Sequence, residues 1–364
     1  MVTKKPIDFP ILLTTVILVA IGIVMVFSAS FYYSTERWND GLYFFKRQCL
    51  WAVVGFIGMF IASRIDYSKL QKYSRIIMIL SIVLLVLVLL IGETRNFAKR
   101  WLGIGAFTIQ PAEVAKFAMI FFIADTIARG KGRIRKFFTG MLPILLVAGL
   151  VFGLIILQPN LSTAGSIIIL TMAMLFVGGA NLWHLAGLVA VGAFGAVVLT
   201  LTVDYRLSRL TAFLDPWADP MDSGWQLIQS LYSLGSGGLF GLGLAQSRQK
   251  YLYLPYPETD FIFAIIGEET GFVGATLLIL LFLVLIWRGI RVALTAPDLF
   301  GSLLAAGIIS MITIQVVINI AVVTASMPPT GLPLPFISYG GSSLAMFMTG
   351  IGVLLNISRH CKAA

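Results

Sequence analysis

Few ionisable residues of this chain are placed to do chemistry, and their settings differ. Asp260 follows Leu254-Pro255-Tyr256-Pro257-Glu258-Thr259 and opens an apolar run at Phe261. A carboxylate there either caps the coming helix or, partly desolvated, rises towards the pKa of a useful general base. Arg206, Arg209, Arg248 and Lys250 precede it in one long loop, as candidate partners for an anion. Glu113 and Lys116 stand three residues apart in Gln110-Pro111-Ala112-Glu113-Val114-Ala115-Lys116. Pro111 suits a first helical turn, and Glu113 and Lys116 share one face. Either they neutralise each other, or Lys116 meets an anionic substrate with Glu113 orienting it. Glu268 and Glu269 lie inside an apolar run, where a charge costs at least ~2.5–3.5 kcal/mol and usually marks function. Adjacent helical positions point about 100° apart. The two acids are therefore not expected to share one partner; one faces the interior, or pairs with a basic residue of a neighbouring helix. Asp125, near the end of its run, reads as interfacial.

Histidine and cysteine are too scarce for several other chemistries. Two Cys (Cys49, Cys361) and two His (His184, His360) cannot make a zinc site of three or four ligands, and no close CxxC or HxxxH spacing occurs. Haem or iron–sulfur ligation and a His-activated nucleophile fail for the same reason. No GxxxxGK[ST] loop is present, so ATP is not the expected energy source. The glycines from Gly235 to Gly243 do not fit GxGxxG and read as a tight or flexible loop. Chemistry is left to carboxylates, Lys, Arg and hydroxyls.

The elements that must position these groups are membrane helices. Of 364 residues, 59% are hydrophobic and 12% charged, against about 25% charged in a soluble domain. A soluble fold of this size could not cover so much apolar surface. A span takes about 20 apolar residues, and ten runs are present, at about 9–30, 49–63, 74–92, 112–128, 137–157, 163–180, 183–202, 261–287, 299–323 and 342–358. The first is too long for a signal-peptide core and is followed by more spans, so it reads as a retained helix. The expected fold is all-α: a polytopic membrane protein of one domain over 1–364, with a large outer loop at about 203–260 between helices 7 and 8. A second outer loop, rich in Pro and Gly, covers about 324–341. With both termini cytoplasmic, fifteen of the 26 Lys and Arg fall inside and ten outside, with Lys116 within a span; the positive-inside rule favours that orientation. The inside group includes Lys4, Lys5, Lys131 and Lys362. The net charge of +10 is no nucleic-acid signal, because no charge-rich soluble segment exists; it serves topology and anionic membrane lipids. In the large loop, Leu227, Ile228 and Leu231 form one side of a helix, and Gln226, Gln229, Ser230 and Ser233 the other. That pattern suits a helix lying in the membrane interface, its polar side turned to a sugar or to solvent.

Three blocks of sequence resemble the SEDS family (shape, elongation, division and sporulation), closest to its FtsW/SpoVE branch. The first is Lys99-Arg100-Trp101 with Gln110 to Lys116. The second runs from Phe213-Leu214-Asp215-Pro216 through Gln226 to Ser230 and Gly235 to Leu239, and on to Thr259-Asp260-Phe261 and Gly267-Glu268-Glu269. The third is Thr330-Gly331-Leu332-Pro333-Leu334-Pro335-Phe336-Ile337-Ser338-Tyr339-Gly340-Gly341. Ser247-Arg248-Gln249-Lys250 looks more like the division and sporulation branch than the RodA elongation branch. The resemblance implies a glycosyltransferase that polymerises lipid II on the outer face of the bacterial cytoplasmic membrane. Asp260 would be the general base and undecaprenyl pyrophosphate the leaving group. It implies a class B penicillin-binding protein as partner, alongside other division, elongation or sporulation proteins. Lys116, Glu113 and Glu268 match charged positions of the family's central cavity, and Arg100 and Gln110 polar positions beside it. The leaving group would be neutralised by Arg206, Arg209, Arg248, Lys250, Arg100 and Lys116, with or without a divalent cation (Mg or Mn); no resident metal ligand is assigned. The chain departs from the pattern at Asn160, where Asp is common, and at Tyr256 and Glu258, where Glu and His usually stand. A lipid II flippase is the alternative, expected to depend on charges within the spans rather than on Asp260.

Overall fold

The computed structural model describes residues 6–95, 98–104, 107–130, 132–202 and 204–361. Lys4, Lys5, Lys131 and Lys362, and the side chain of Arg206, lie outside the described residues. All ten apolar runs form helices: α1 (Phe9–Trp38), α2 (Tyr43–Arg64), α3 (Tyr67–Ile91), α4 (Pro111–Arg129), α5 (Leu142–Ile156), α6 (Leu161–Val177), α7 (Leu182–Leu201), and, after the long segment, α10 (Ile262–Thr295), α11 (Leu299–Val323) and α12 (Gly341–Ser358). Two further helices, α8 (Asp204–Leu214) and α9 (Trp225–Ser236), occupy the long segment. Three short antiparallel strands, β1 (Glu93–Arg95), β2 (Ala98–Ile104) and β3 (Phe107–Ile109), join α3 to α4 and were not expected. Their segment has no apolar run to bury as a helix.

Polar residues set the helix starts. Asp8, Asp66, Asn160, Asn181 and Asp298 each accept a hydrogen bond from a first-turn N–H of α1, α3, α6, α7 and α11. Among the described residues, seven helical segments are long and apolar enough to cross a membrane by length and composition. Of the other three, α4 carries Glu113, Lys116, Asp125 and Arg129, α6 has 17 residues, and α7 is described without a break in its side chains over Leu182–Val198. The outward faces stay apolar, as at Leu90, Phe194 and Leu280. Such a surface is stable only against hydrocarbon, and the chain is a polytopic membrane protein.

The core lies between α4, α11 and α12, with α2 packed along α12 and α1 against α10. α1 passes so close to the loop before α12 that a Cβ on Gly22 would lie 2.4 Å from the carbonyl oxygen of Phe336. α7 stands apart: among its described residues it buries Leu185 alone. α10 runs past the expected end at 287 and is bent at Gly271, whose φ of 68° and ψ of −170° are not helical. A side chain there would meet the backbone of Leu239 and Gly241, so the glycine-rich segment packs into the bend.

Candidate active site

Asp260 lies in the turn before α10. The N-cap of that helix is Phe261, with no side-chain cap, so the carboxylate of Asp260 is not a capping group. The turn is held from behind by the loop preceding α12. Asn319 of α11 donates from Nδ2 to the carbonyls of Asp260 (2.8 Å) and Leu332 (2.9 Å). Ser338 Oγ donates to the carbonyl of Thr259 (2.6 Å) and accepts from Leu334 N–H (2.8 Å). Tyr339 N–H donates to the carbonyl of Glu258 (2.8 Å). Tyr256 and Phe336 take left-handed backbone conformations, φ 51° and 66°. Each costs of order 1–3 kcal/mol and persists only where neighbours enforce it.

Other elements approach the carboxylate. Gly331 lies beside it: a Cβ there would come 3.4 Å from Asp260 Oδ2. Gly331 N–H reaches Ser162 Oγ of α6 (3.4 Å). Arg209 of α8 donates from Nη1 to the carbonyl of Pro329 (3.1 Å), which ties α8 to the same loop. Arg100 of β2 donates to the carbonyls of Gln158 (3.0 Å from Nε) and Pro159, before α6. Burial pushes the Asp260 carboxyl up to about 6, against the pull of the Arg209 and Arg100 charges. Of the expected site residues, the structure thus brings Asp260, Arg100 and Arg209 together.

The others are differently employed. Lys116 and Glu113 are buried as a 2.7 Å ion pair, with Lys116 Nζ also donating to Gln315 Oε1 (3.3 Å) and lying over the Phe347 ring. The contact is common to both readings left open, and the burial of the two groups favours mutual neutralisation. Gln110 forms the N-cap of α4 and binds Ser342 Oγ through its backbone N–H (3.3 Å). Glu268 accepts from Ser233 Oγ (3.0 Å), Ser247 Oγ (2.6 Å) and Arg248 N–H (2.8 Å). Glu269 accepts from Ser28 Oγ of α1 (2.7 Å) and pairs with Lys250 (3.1 Å).

These contacts correct the expectation for the acid pair and show where the other residues lie. The two acids do share one partner, the 247–250 segment, because that short strap runs across both and meets each with a different atom. Lys250 is buried in its ion pair instead of waiting at an outer surface. Arg248 contributes its backbone, while its side chain is exposed. Asp125, near the end of α4, has a fully buried side chain paired with the exposed Arg129 (2.6 Å) and Arg75 (3.9 Å). The polar side of α9 is also inward. Gln229, Ser230 and Ser233 are buried, with Ser230 Oγ donating to Val323 O (2.8 Å) and Ser233 Oγ to Ala264 O (3.0 Å), and Gln226 is half-buried. Those hydroxyls bond the carbonyls of Val323 and Ala264 and the carboxylate of Glu268. Asn160, the residue that departs from the family's Asp, caps α6.

Residues that the spacing does not mark complete the site: Asn319, Ser338, Gly331, Ser162 and Glu258. The available signal for Asn319 is an amide in an apolar span, which must find polar partners. Among the described residues, no group of three or more His, Cys, Asp and Glu converges to hold a metal ion.

The chain has well-characterised likenesses. Residues 9–363 match the family model for FtsW, RodA and SpoVE, described as "Cell cycle protein". Stage V sporulation protein E of Bacillus subtilis (strain 168) is 49% identical over 365 residues, covering all of both chains. A probable peptidoglycan glycosyltransferase FtsW of Geobacter sp. (strain M18) is 40% identical, covering 98% of each chain. Among solved structures, a chain of a peptidoglycan synthase complex superposes with a TM-score of 0.79 at 30% identity, over 97% of this chain and 98% of that one. The rod shape determining protein RodA of Thermus thermophilus gives 0.73 at 29% identity, over 98% of both. This chain thus belongs to the FtsW/RodA/SpoVE family of cell cycle proteins.

Proposed function

We propose that this chain is a peptidoglycan glycosyltransferase that polymerises lipid II on the outer face of the cytoplasmic membrane. The observation that carries this reading is the Asp260 carboxyl: it caps no helix, is raised to about 6 by burial, and feels two arginines. Asp260 takes the proton from the 4-hydroxyl of the acceptor GlcNAc as that oxygen attacks the anomeric carbon of the donor MurNAc. The bond from that carbon to the pyrophosphate oxygen breaks, with inversion, and undecaprenyl pyrophosphate departs. Two anionic phosphates need cations as charge builds on the leaving oxygen. Arg100 and Arg209 are placed for that role; Lys116 and Lys250 are committed to buried acids. A divalent cation, where used, would arrive with the pyrophosphate, since among the described residues no three or more His, Cys, Asp or Glu gather around one.

The lipid tails need lateral entry. The poorly packed α7, with Phe194 and Val191 exposed, leaves room for hydrocarbon beside the site. The excess of Lys and Arg on the loops shared with both termini supports a cytoplasmic placement of those termini. The likeness to a chain of a synthase complex supports a class B penicillin-binding protein as partner. Lipid transport draws no support from the spans, because Lys116 and Glu113 neutralise each other. The deciding experiment is polymerisation of lipid II by purified protein. Asp260→Asn is expected to lose ~10²–10⁴-fold in rate, and wild-type product from a folded variant would refute the assignment.

A further inference from the structure

Glu258 is buried, and its Oε2 has no hydrogen-bond partner. An ionised carboxylate in that state is costly, whereas a protonated one has no net charge to solvate. It stands two residues before Asp260 in the same turn. The contacts of Tyr339 with Glu258, Ser338 with Thr259 and Asn319 with Asp260 fix all three backbone carbonyls, so the two acids cannot drift apart. Charged groups reach this pair unevenly. Arg100 from β2 and Arg209 from α8 act on Asp260. The loop before α12 brings Tyr339 as its single titratable side chain, and Asn319, the polar group that α11 sets against the turn, is neutral. The cations therefore favour ionisation of Asp260 and leave Glu258 as the member that keeps its proton.

Resting on the lipid II reading above, we propose that Glu258 is a positioning residue that holds the second proton of a carboxyl pair with Asp260, and that loss of this proton weakens binding of the pyrophosphate-bearing donor. Burial places Asp260 near about 6 and Glu258 near about 7, the latter also raised by the Asp260 charge. The protons leave in that order, and the two steps belong to the pair. Between them the site carries one negative charge, on the base, facing two arginines. Above the second step a further negative charge stands beside the Asp260 charge that Arg100 and Arg209 act on, and opposes an incoming pyrophosphate.

The test is steady-state polymerisation of lipid II by the purified full chain in lipid vesicles, with kcat and KM measured from pH 5 to 9. In wild type, kcat rises through about 6 as Asp260 ionises, and KM for lipid II rises several-fold above about 7. Glu258→Gln keeps the rise in kcat and has a flat KM. Glu258→His, which is uncharged on the alkaline side of ~6.5, has an equally flat KM above 7. A wild-type KM that is flat across this range, or a KM rise that persists in either folded variant, overturns the proposal. A lower melting temperature with unchanged pH dependence does so too, since that is what a merely structural role predicts. Absence of product from wild type at every pH would refute the polymerase reading itself, and the inference with it.

Discussion

A carboxyl whose charged form is disfavoured by burial is suited to proton transfer and is a liability for folding. The folded Asp260 carboxyl titrates near about 6, against ~3.9 in an unfolded chain. Between those values the folded state binds more protons than the unfolded one, so stability falls as pH rises through that window. The penalty is complete above about 6 and absent below about 4. Asp260→Asn is therefore expected to melt higher than wild type at pH 7.5 and to lose that advantage at pH 4. Equal shifts at both pH values, by differential scanning fluorimetry in detergent, would contradict a raised carboxyl. Lys116 makes the opposite case. Its removal leaves Glu113 buried without its cation, and breaking such a pair costs roughly 3–5 kcal/mol. Lys116→Met should melt far below wild type, and adding Glu113→Gln should recover most of the loss. A double variant no better than the single one would mean that the pair contributes nothing mutual. From the sequence, the three-residue spacing fitted both roles of this pair equally; the burial of both groups favours mutual neutralisation.

Helices were the legible elements, and their bends and straps were not. Each apolar run became a helix because a backbone in hydrocarbon must satisfy its own hydrogen bonds. The break at Gly271 is different: a hydropathy run passes straight through it, and only the approach of Leu239 and Gly241 requires it. A Cβ at 271 would lie 2.3 Å from Gly241 N, in a left-handed backbone. Gly271→Ala is expected to destabilise by at least ~1–3 kcal/mol and to expose the 237–250 segment to protease. Gly165→Ala is the control, since its Cβ meets nothing within 4 Å and φ is unexceptional; it should be neutral or slightly stabilising. Limited proteolysis of the two variants side by side reads both outcomes, and equal digestion would show that the bend does not hold the strap.

At the scale of the whole molecule, the fold makes a testable statement about sidedness. If both termini are cytoplasmic, the long segment between α7 and α10 lies outside. Met221 in that segment is 83% exposed. In a Cys49→Ser background, Met221→Cys should react with a membrane-impermeant maleimide added to intact spheroplasts, while native Cys361 reacts only after permeabilisation. The reverse pattern would invert the topology and move the Asp260 turn to the cytoplasmic side.

The sequence by itself determined the membrane class, the ten helices, the family and the candidacy of Asp260, because hydropathy runs and motif blocks are properties of neighbouring residues. The tertiary structure decided which charges are available for chemistry. Ser28 meets Glu269 across 241 positions, Gln315 meets Lys116 across 199, and Asn319 holds the Asp260 turn from 59 positions away. Burial and partnership set whether a charge is committed or poised, and both depend on residues that no local spacing brings together. Lys250, Lys116, Glu268 and Glu269 are committed for that reason, leaving Asp260, its neighbour Glu258 and two arginines at the opening.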